Sequence, residues 1–133
     1  MTKKPADLFD LECPSRDVLE LVGSKWSMLL LCTLKNGPVR TGDLRRAVTG
    51  ISQKMLTQTL RDLERDGIID RIDYAEVPPR VEYKLTKVGH SLSRLMKQME
   101  FWIIDHYDYI IAAQERYKRT AKKCEDRTRS VHM

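Results

Sequence analysis

The sequence predicts a mainly α fold with a small β-hairpin, followed by one long helix. Three observations predict it. Apolar residues recur at helical spacing through most of residues 14–66. The period changes to two across residues 68–85, around the turn-forming segment AEVPPR. Helical spacing returns at Lys87 and holds to Ile110.

The first element starts at Pro14-Ser15, a suitable helix entry, and carries a short apolar stripe of Val18, Leu21 and Val22. Gly23-Ser24 breaks it. The next helix is apolar almost all round, through Trp26, Met28, Leu29, Leu30, Leu31 and Leu34, so it is predicted to be buried on several sides. Asn36-Gly37-Pro38 stops it.

A short helix over about 42–48 buries Leu44, Ala47 and Val48, and Thr49-Gly50-Ile51 forms a tight turn. The helix after it is predicted over about 52–66. Ser52 can accept a hydrogen bond from the first turn, and Gly67 accepts a positive φ after the last. At about 100° per residue, Met55, Leu56, Leu60 and Leu63 form one stripe for the core. Lys54, Thr57, Gln58, Arg61 and Arg65 gather on the other side. A short helix, a glycine-bearing turn and a longer helix are the pattern of a helix-turn-helix.

Beyond Gly67, Ile68, Asp70, Ile72 and Tyr74 alternate with Ile69, Arg71 and Asp73. After the proline-stiffened turn, Val81, Tyr83 and Leu85 alternate with Glu82 and Lys84. This is a β-hairpin with Arg80 at or beside its tip, and Val39 is a candidate for a third short strand. From Lys87 about 30 residues of helix are predicted, against a globular mean of about 11–12. Its stripe runs through Val88, Leu92, Leu95, Met96, Met99, Trp102, Ile103 and Ile110, with Tyr107 beside it. That exceeds what a small domain needs to cover one side, and a second copy of the chain is the simplest consumer. The division expected is a domain over residues 1–112 and a basic, partly frayed extension over 113–133.

Net charge is +5. Residues 40–87 carry ten basic against eight acidic side chains, so this region is not a polybasic block. Its cations must be presented by geometry if they are to bind a polyanion. No apolar run is long enough to span a membrane, and the N-terminus lacks the apolar centre of a signal peptide, so a cytoplasmic protein without a membrane partner is expected. Cys13, Cys32 and Cys124 have no C-x-x-C spacing and the histidines are isolated, so neither a metal site nor a cofactor is expected. No glycine-rich phosphate loop, paired-acid constellation or nucleophile motif is present, which argues against an enzyme.

The order helix, helix, helix-turn-helix, hairpin, long helix is that of a winged helix with a dimerisation element. The stretches CPSRDVLELVGSKW, LKNGPVRTGDLRRAVTGISQKMLTQTLRDLERDGII and YAEVPPRVEYKLTKVGHSL resemble the HxlR family of bacterial transcription regulators, relatives of the MarR group. The resemblance covers about residues 13–105, and its middle stretch and EVPPRVEY are long and specific. Thr41 departs from it, standing where the family usually has an aromatic residue.

The resemblance implies a homodimer, joined through its first and last helices, on a roughly palindromic operator in double-stranded DNA. The helix after the tight turn would enter the major groove and the hairpin would lie against the adjacent minor groove. Lys54, Thr57, Gln58 and Arg61 would then face bases and phosphates, with arginine suited to guanine and glutamine to adenine. Ser52 and Gln53 would meet phosphate at the helix N-terminus. Arg80 would enter the narrow groove, while Arg45 and Arg46 would touch phosphate or stay in solvent. Leu92, Leu95, Met99, Trp102, Ile103 and Ile110 are the expected dimer interface.

Cys13 is the candidate redox-sensing residue. It precedes a helix N-terminus near Arg16, where a thiolate is favoured, and some members of the resembling family sense oxidants or electrophiles with a cysteine at this place. Most cysteines, however, are merely small apolar side chains. Cys32, in an apolar helix, reads as buried and inert. Trp26, Trp102 and Tyr107 are candidates for lining a small-molecule effector pocket, although aromatics at helical spacing more often belong to a core or an interface. Two rival functions stand beside the regulator: a protein-interaction module that uses the long helix without binding DNA, and a thiol-based enzyme acting through Cys13.

Overall fold

The computed structural model describes residues 5–131. In chain order they form α1 (Pro14–Val22), α2 (Lys25–Leu34), β1 (Val39–Arg40), α3 (Thr41–Ala47), α4 (Gln53–Arg65), β2 (Ile69–Asp73), β3 (Val81–Leu85) and α5 (Lys87–Val131). The three strands make an antiparallel sheet in the order β1-β3-β2. Val39 pairs with Tyr83, and Ile69 pairs with Leu85. The chain divides into two compact units between Lys97 and Gln98, within α5.

The first unit is built around α2. Leu30, Leu31 and Leu34 are fully buried and pack with Leu44 of α3, Leu56, Leu60 and Leu63 of α4, and Ile69 and Leu85 of the sheet. Ser24 caps α2 by accepting from the Trp26 N–H at 3.2 Å, and Trp26 packs against the core. Gly50 takes a φ of +90° and Gly67 a φ of +73°, a region that L side chains rarely adopt. These two glycines bracket α4 and set where its polar face begins and ends.

Two placements correct the periodic reading. Met55 is 42% exposed, while Thr59, at 5%, completes the buried face of α4. Leu56, Leu60 and Leu63 already define the stripe. Thr59, three residues after Leu56, falls inside it, whereas Met55 sits at its edge. At α3, Leu44 and the C-cap residue Val48 are buried as expected, whereas Ala47 is exposed.

Thr86 ties α4, the sheet and α5 together. Its hydroxyl reaches the carbonyls of Gly67 (2.7 Å) and Ile68 (3.0 Å), and accepts from the Gly89 N–H at 3.1 Å. Gly89 then lies so close to β2 that an added Cβ would stand 2.1 Å from the Ile68 carbonyl oxygen. The apolar stripe predicted for the long helix splits here. Gly89, Ser93 and Met96 are buried and Leu92 packs on the core, whereas Val88 and Leu95 are 63% and 61% exposed. Side chains three or four apart share a helix face, so Val88 and Leu95, seven apart, mark a second face.

In the second unit α5 continues to Val131, giving a helix of 45 residues in all where about 30 were expected. Polar i,i+3 and i,i+4 contacts line this part, among them Lys118–Glu115 at 3.8 Å and the Thr120 hydroxyl donating to the Arg116 carbonyl at 3.0 Å. Met99, Trp102, Ile103 and Tyr107 are exposed, Ile110 is half-buried, and Trp102 stacks on His106 with centroids 4.5 Å apart. Among the described residues, no helix is long and apolar enough to cross a membrane.

Candidate nucleic-acid interface

Helix α4 separates its two faces sharply. Opposite the buried leucines, Lys54, Gln58, Arg61 and Arg65 are exposed and Thr57 is half-buried. Ser52 caps the helix, its hydroxyl accepting from the Met55 N–H at 3.0 Å. That cap holds the first turn open toward solvent, with Gln53 and Lys54 exposed on it. Unsatisfied N–H groups at such an end favour an anion.

The polar face is partly self-organised. Gln53 donates to the Thr57 hydroxyl at 3.2 Å, and Gln58 donates to Asp62 at 3.0 Å. Arg65 is held by Asp66 at 3.0 Å and Asp62 at 3.3 Å, and these carboxylates raise its pKa above the ordinary arginine value, Asp66 most. Lys54 and Arg61 make no side-chain hydrogen bond or ion pair among the described residues. They are the two long cations of this face that are not already committed.

On α3, Arg45 and Arg46 are both exposed, and Arg46 pairs with Asp43. A cleft of about 370 Å³ lies between α3 and the loop end of the hairpin. Arg40, Arg46 and Arg80 line it together with Asp43. Arg40 was not singled out in the sequence. Its register opposite Glu82 on β3 brings it here, and no linear pattern announces that pairing.

Arg80 lies beside the hairpin tip, at the end of the loop, but its side chain does not project freely. It directly precedes β3, with 32% of its side chain exposed, and its Cζ lies 3.7 Å from the centroid of the Tyr74 ring. Its Nε is buried and lacks a hydrogen bond, with Glu82 at 3.8 Å and Glu76 at 3.9 Å. The tip itself is Val77, 99% exposed, joined to Pro78 by a cis peptide.

Cys13 is the N-cap residue of α1 and is half-buried. The Asp7 N–H approaches its sulfur at 3.4 Å, and the Ser15 hydroxyl lies at 3.0 Å. The hydrogen bond from the Asp7 backbone, then those from the Ser15 hydroxyl and backbone, hold its thiol below the ordinary pKa. Burial and the Asp10 carboxylate oppose them. The Arg16 guanidinium donates to the Phe9 carbonyl at 3.4 Å, so hydrogen bonding rather than a neighbouring cation favours the thiolate. A cavity of about 370 Å³ beside the sulfur is lined by Asp7, Asp10 and Glu12.

Cys124 is exposed, but Cys32 is half-buried rather than sealed in the core. Among the described residues, no group of three or more His, Cys, Asp and Glu side chains is arranged to hold a metal ion.

The sequence profile of the HxlR-like helix-turn-helix family matches residues 21–110. YtfH of Escherichia coli strain K12, an uncharacterised helix-turn-helix-type transcriptional regulator, is 43% identical over 112 residues, covering 84% of this chain and 89% of the relative. A solved structure of YtfH from Salmonella typhimurium superposes with a TM-score of 0.78 at 42% identity, covering 84% of this chain and 99% of that one. The redox regulator HypR in its reduced form is also similar, with a TM-score of 0.68 and 38% identity over 74% of this chain and 98% of its own. The chain belongs to the HxlR family of helix-turn-helix transcriptional regulators.

Proposed function

We propose that the protein acts in the cytoplasm as a homodimer that binds a roughly palindromic operator in double-stranded DNA. The observation that carries this reading is the two-faced α4. A fully buried leucine stripe fixes the helix in place while Lys54, Gln58 and Arg61 stand exposed opposite it. Such a helix, preceded by α3 and a tight turn and followed by a hairpin, can be laid in a major groove, with arginine and glutamine reading base edges. Ser52, Gln53 and Lys54 at its start, with Arg45 and Arg46 on α3, meet phosphate. Arg80 serves the adjacent minor groove from the loop end of the hairpin.

The dimer rests on apolar surface. Leu95, Met99, Trp102 and Ile103 are 40–61% exposed, an unusual density on one helix, and Ile110 continues the series. Leu92 contributes less, because it packs on its own core. A twofold pair of reading heads would match a palindromic site.

Cys13 adds a second reading, regulation by oxidants or electrophiles. Its support is the hydrogen-bonded sulfur beside an open cavity, together with the similarity to HypR, a redox regulator. A shift of α1 at the dimer interface would change the spacing of the two heads.

The test is a gel shift on duplexes selected from random sequence, paired with sedimentation. Selection of an inverted repeat by a dimer is the expected result. A monomer of about 15.5 kDa at micromolar concentration, or no selected sequence, would overturn the reading.

A further inference from the structure

A groove of about 270 Å³ runs between α2 and the first turns of α5. It is lined by Cys32, Lys35, His90, Ser93, Arg94 and Lys97, with no acidic residue among them. Ser93 is 8% exposed and makes no side-chain hydrogen bond among the described residues, so its hydroxyl is an unused polar group in the groove wall. Lys35 and Arg94 take part in no ion pair there. Unpaired cations around a concave site attract anions.

The thiol at the edge of this groove gives it chemistry. Cys32 is half-buried and also borders a second groove, beside Leu29 and Thr33. Its surroundings are the reverse of those of Cys13, whose cavity is lined by Asp7, Asp10 and Glu12. The chain therefore holds two thiols in oppositely charged settings.

We propose that the groove is a receiving site for small carboxylate-bearing disulfides, which it joins to Cys32. Lys35 and Arg94 hold the carboxylates, and Ser93 and His90 supply further polar contacts. The Cys32 thiolate attacks one sulfur of the bound disulfide. A protein-to-ligand S–S bond forms, the ligand's own S–S bond breaks, and the departing thiolate carries away the electron pair. The proton of the Cys32 thiol passes to solvent. The disulfide is the oxidant, and no other reagent is required. Cys13, behind its acidic rim, takes neutral or cationic reagents instead. The assignment is independent of DNA binding.

The experiment uses the full chain with all three cysteines. The protein is treated in parallel with 5,5′-dithiobis(2-nitrobenzoate), a dianion, and cystamine, a dication, and modification at each cysteine is followed by peptide mass mapping. The ratio of dianion to dication rates is expected to be at least about tenfold higher at Cys32 than at Cys13. Raising salt to about 0.5 M should collapse that difference, because screening then acts within a few ångströms. A Lys35→Gln/Arg94→Gln variant should lose the preference at Cys32 and keep the ratio at Cys13. Equal ratios at the two cysteines, a preference indifferent to salt, or a Cys32 that stays unmodified while Cys13 reacts in folded protein would each overturn the proposal. If the double variant does not fold, the salt series on the unmutated chain decides.

Discussion

Arg80 and Tyr74 form a clamp at the loop end of the hairpin, just beyond the Asp73–Val81 pair. The guanidinium lies over the ring at 3.7 Å, the Tyr74 hydroxyl donates to Glu82 at 3.1 Å, and the Tyr74 N–H donates to the Arg80 carbonyl at 3.1 Å. A stacked, partly desolvated arginine keeps one orientation at little further entropic cost. Arg80→Ala is expected to weaken binding to a selected duplex about tenfold while leaving the preferred major-groove bases unchanged. Tyr74→Leu should weaken it less, by freeing the side chain rather than removing it. Titrations showing both variants equal to the parent would remove Arg80 from the interface.

Gly89 marks a close approach of α5 to the backbone at Ile68. A methyl group there would meet the Ile68 carbonyl at 2.1 Å and the Leu85 side chain at 3.3 Å. Gly89→Ala should therefore force α5 off the sheet, costing about 3 kcal/mol. Urea denaturation measures this, and a midpoint unchanged from the parent would contradict the close approach.

Ser27 is fully buried on α2, and its hydroxyl has no hydrogen-bond partner. Removing a buried, unsatisfied polar atom relieves its desolvation cost. Ser27→Ala is expected to raise stability by about 1 kcal/mol in the same denaturation assay. A loss of stability would mean that the hydroxyl has a partner after all.

Cys13 should titrate below the ordinary thiol range, because hydrogen bonds from Asp7 and Ser15 favour its charged form. A depressed pKa preserves the thiolate down to lower pH, and the thiolate is lost as pH falls through the folded-state value. Alkylation by iodoacetamide, followed at Cys13 by mass, should stay fast at pH values where an ordinary thiol has slowed, then drop. Ser15→Ala should move that drop upward. A profile matching a model thiol would show that the hydrogen bonds do not activate the sulfur.

The order of elements was legible because each has its own period and its own punctuation. Pro14, Gly23, Ser24, Gly37, Ser52, Gly50 and Gly67 mark helix ends by local chemistry, and local chemistry is what a sequence displays. The polar face of α4 was legible for the same reason. What periodicity could not show was contact between distant segments. The place of Arg80 beside the tip was legible, but nothing linear reveals the Tyr74 ring beneath it. Arg40 went unnoticed because its place depends on strand register. Cys32 looked fully buried because an apolar helix does not show the groove that α5 forms beside it. The stripe of α5 looked continuous because Leu92, Leu95 and Met96 all suit burial, although only the Gly89 contact decides which face is turned inward.

The central claim is that α4 reads DNA. It is tested most directly by the affinity and base preference of the parent, Gln58→Ala and Arg61→Ala on duplexes carrying every single-base change in one selected half-site. Each substitution should cost about 1–3 kcal/mol on the preferred site and flatten discrimination at one or two positions, with helix content and oligomeric state unchanged. Affinity and base preference identical to the parent in both variants would contradict the account.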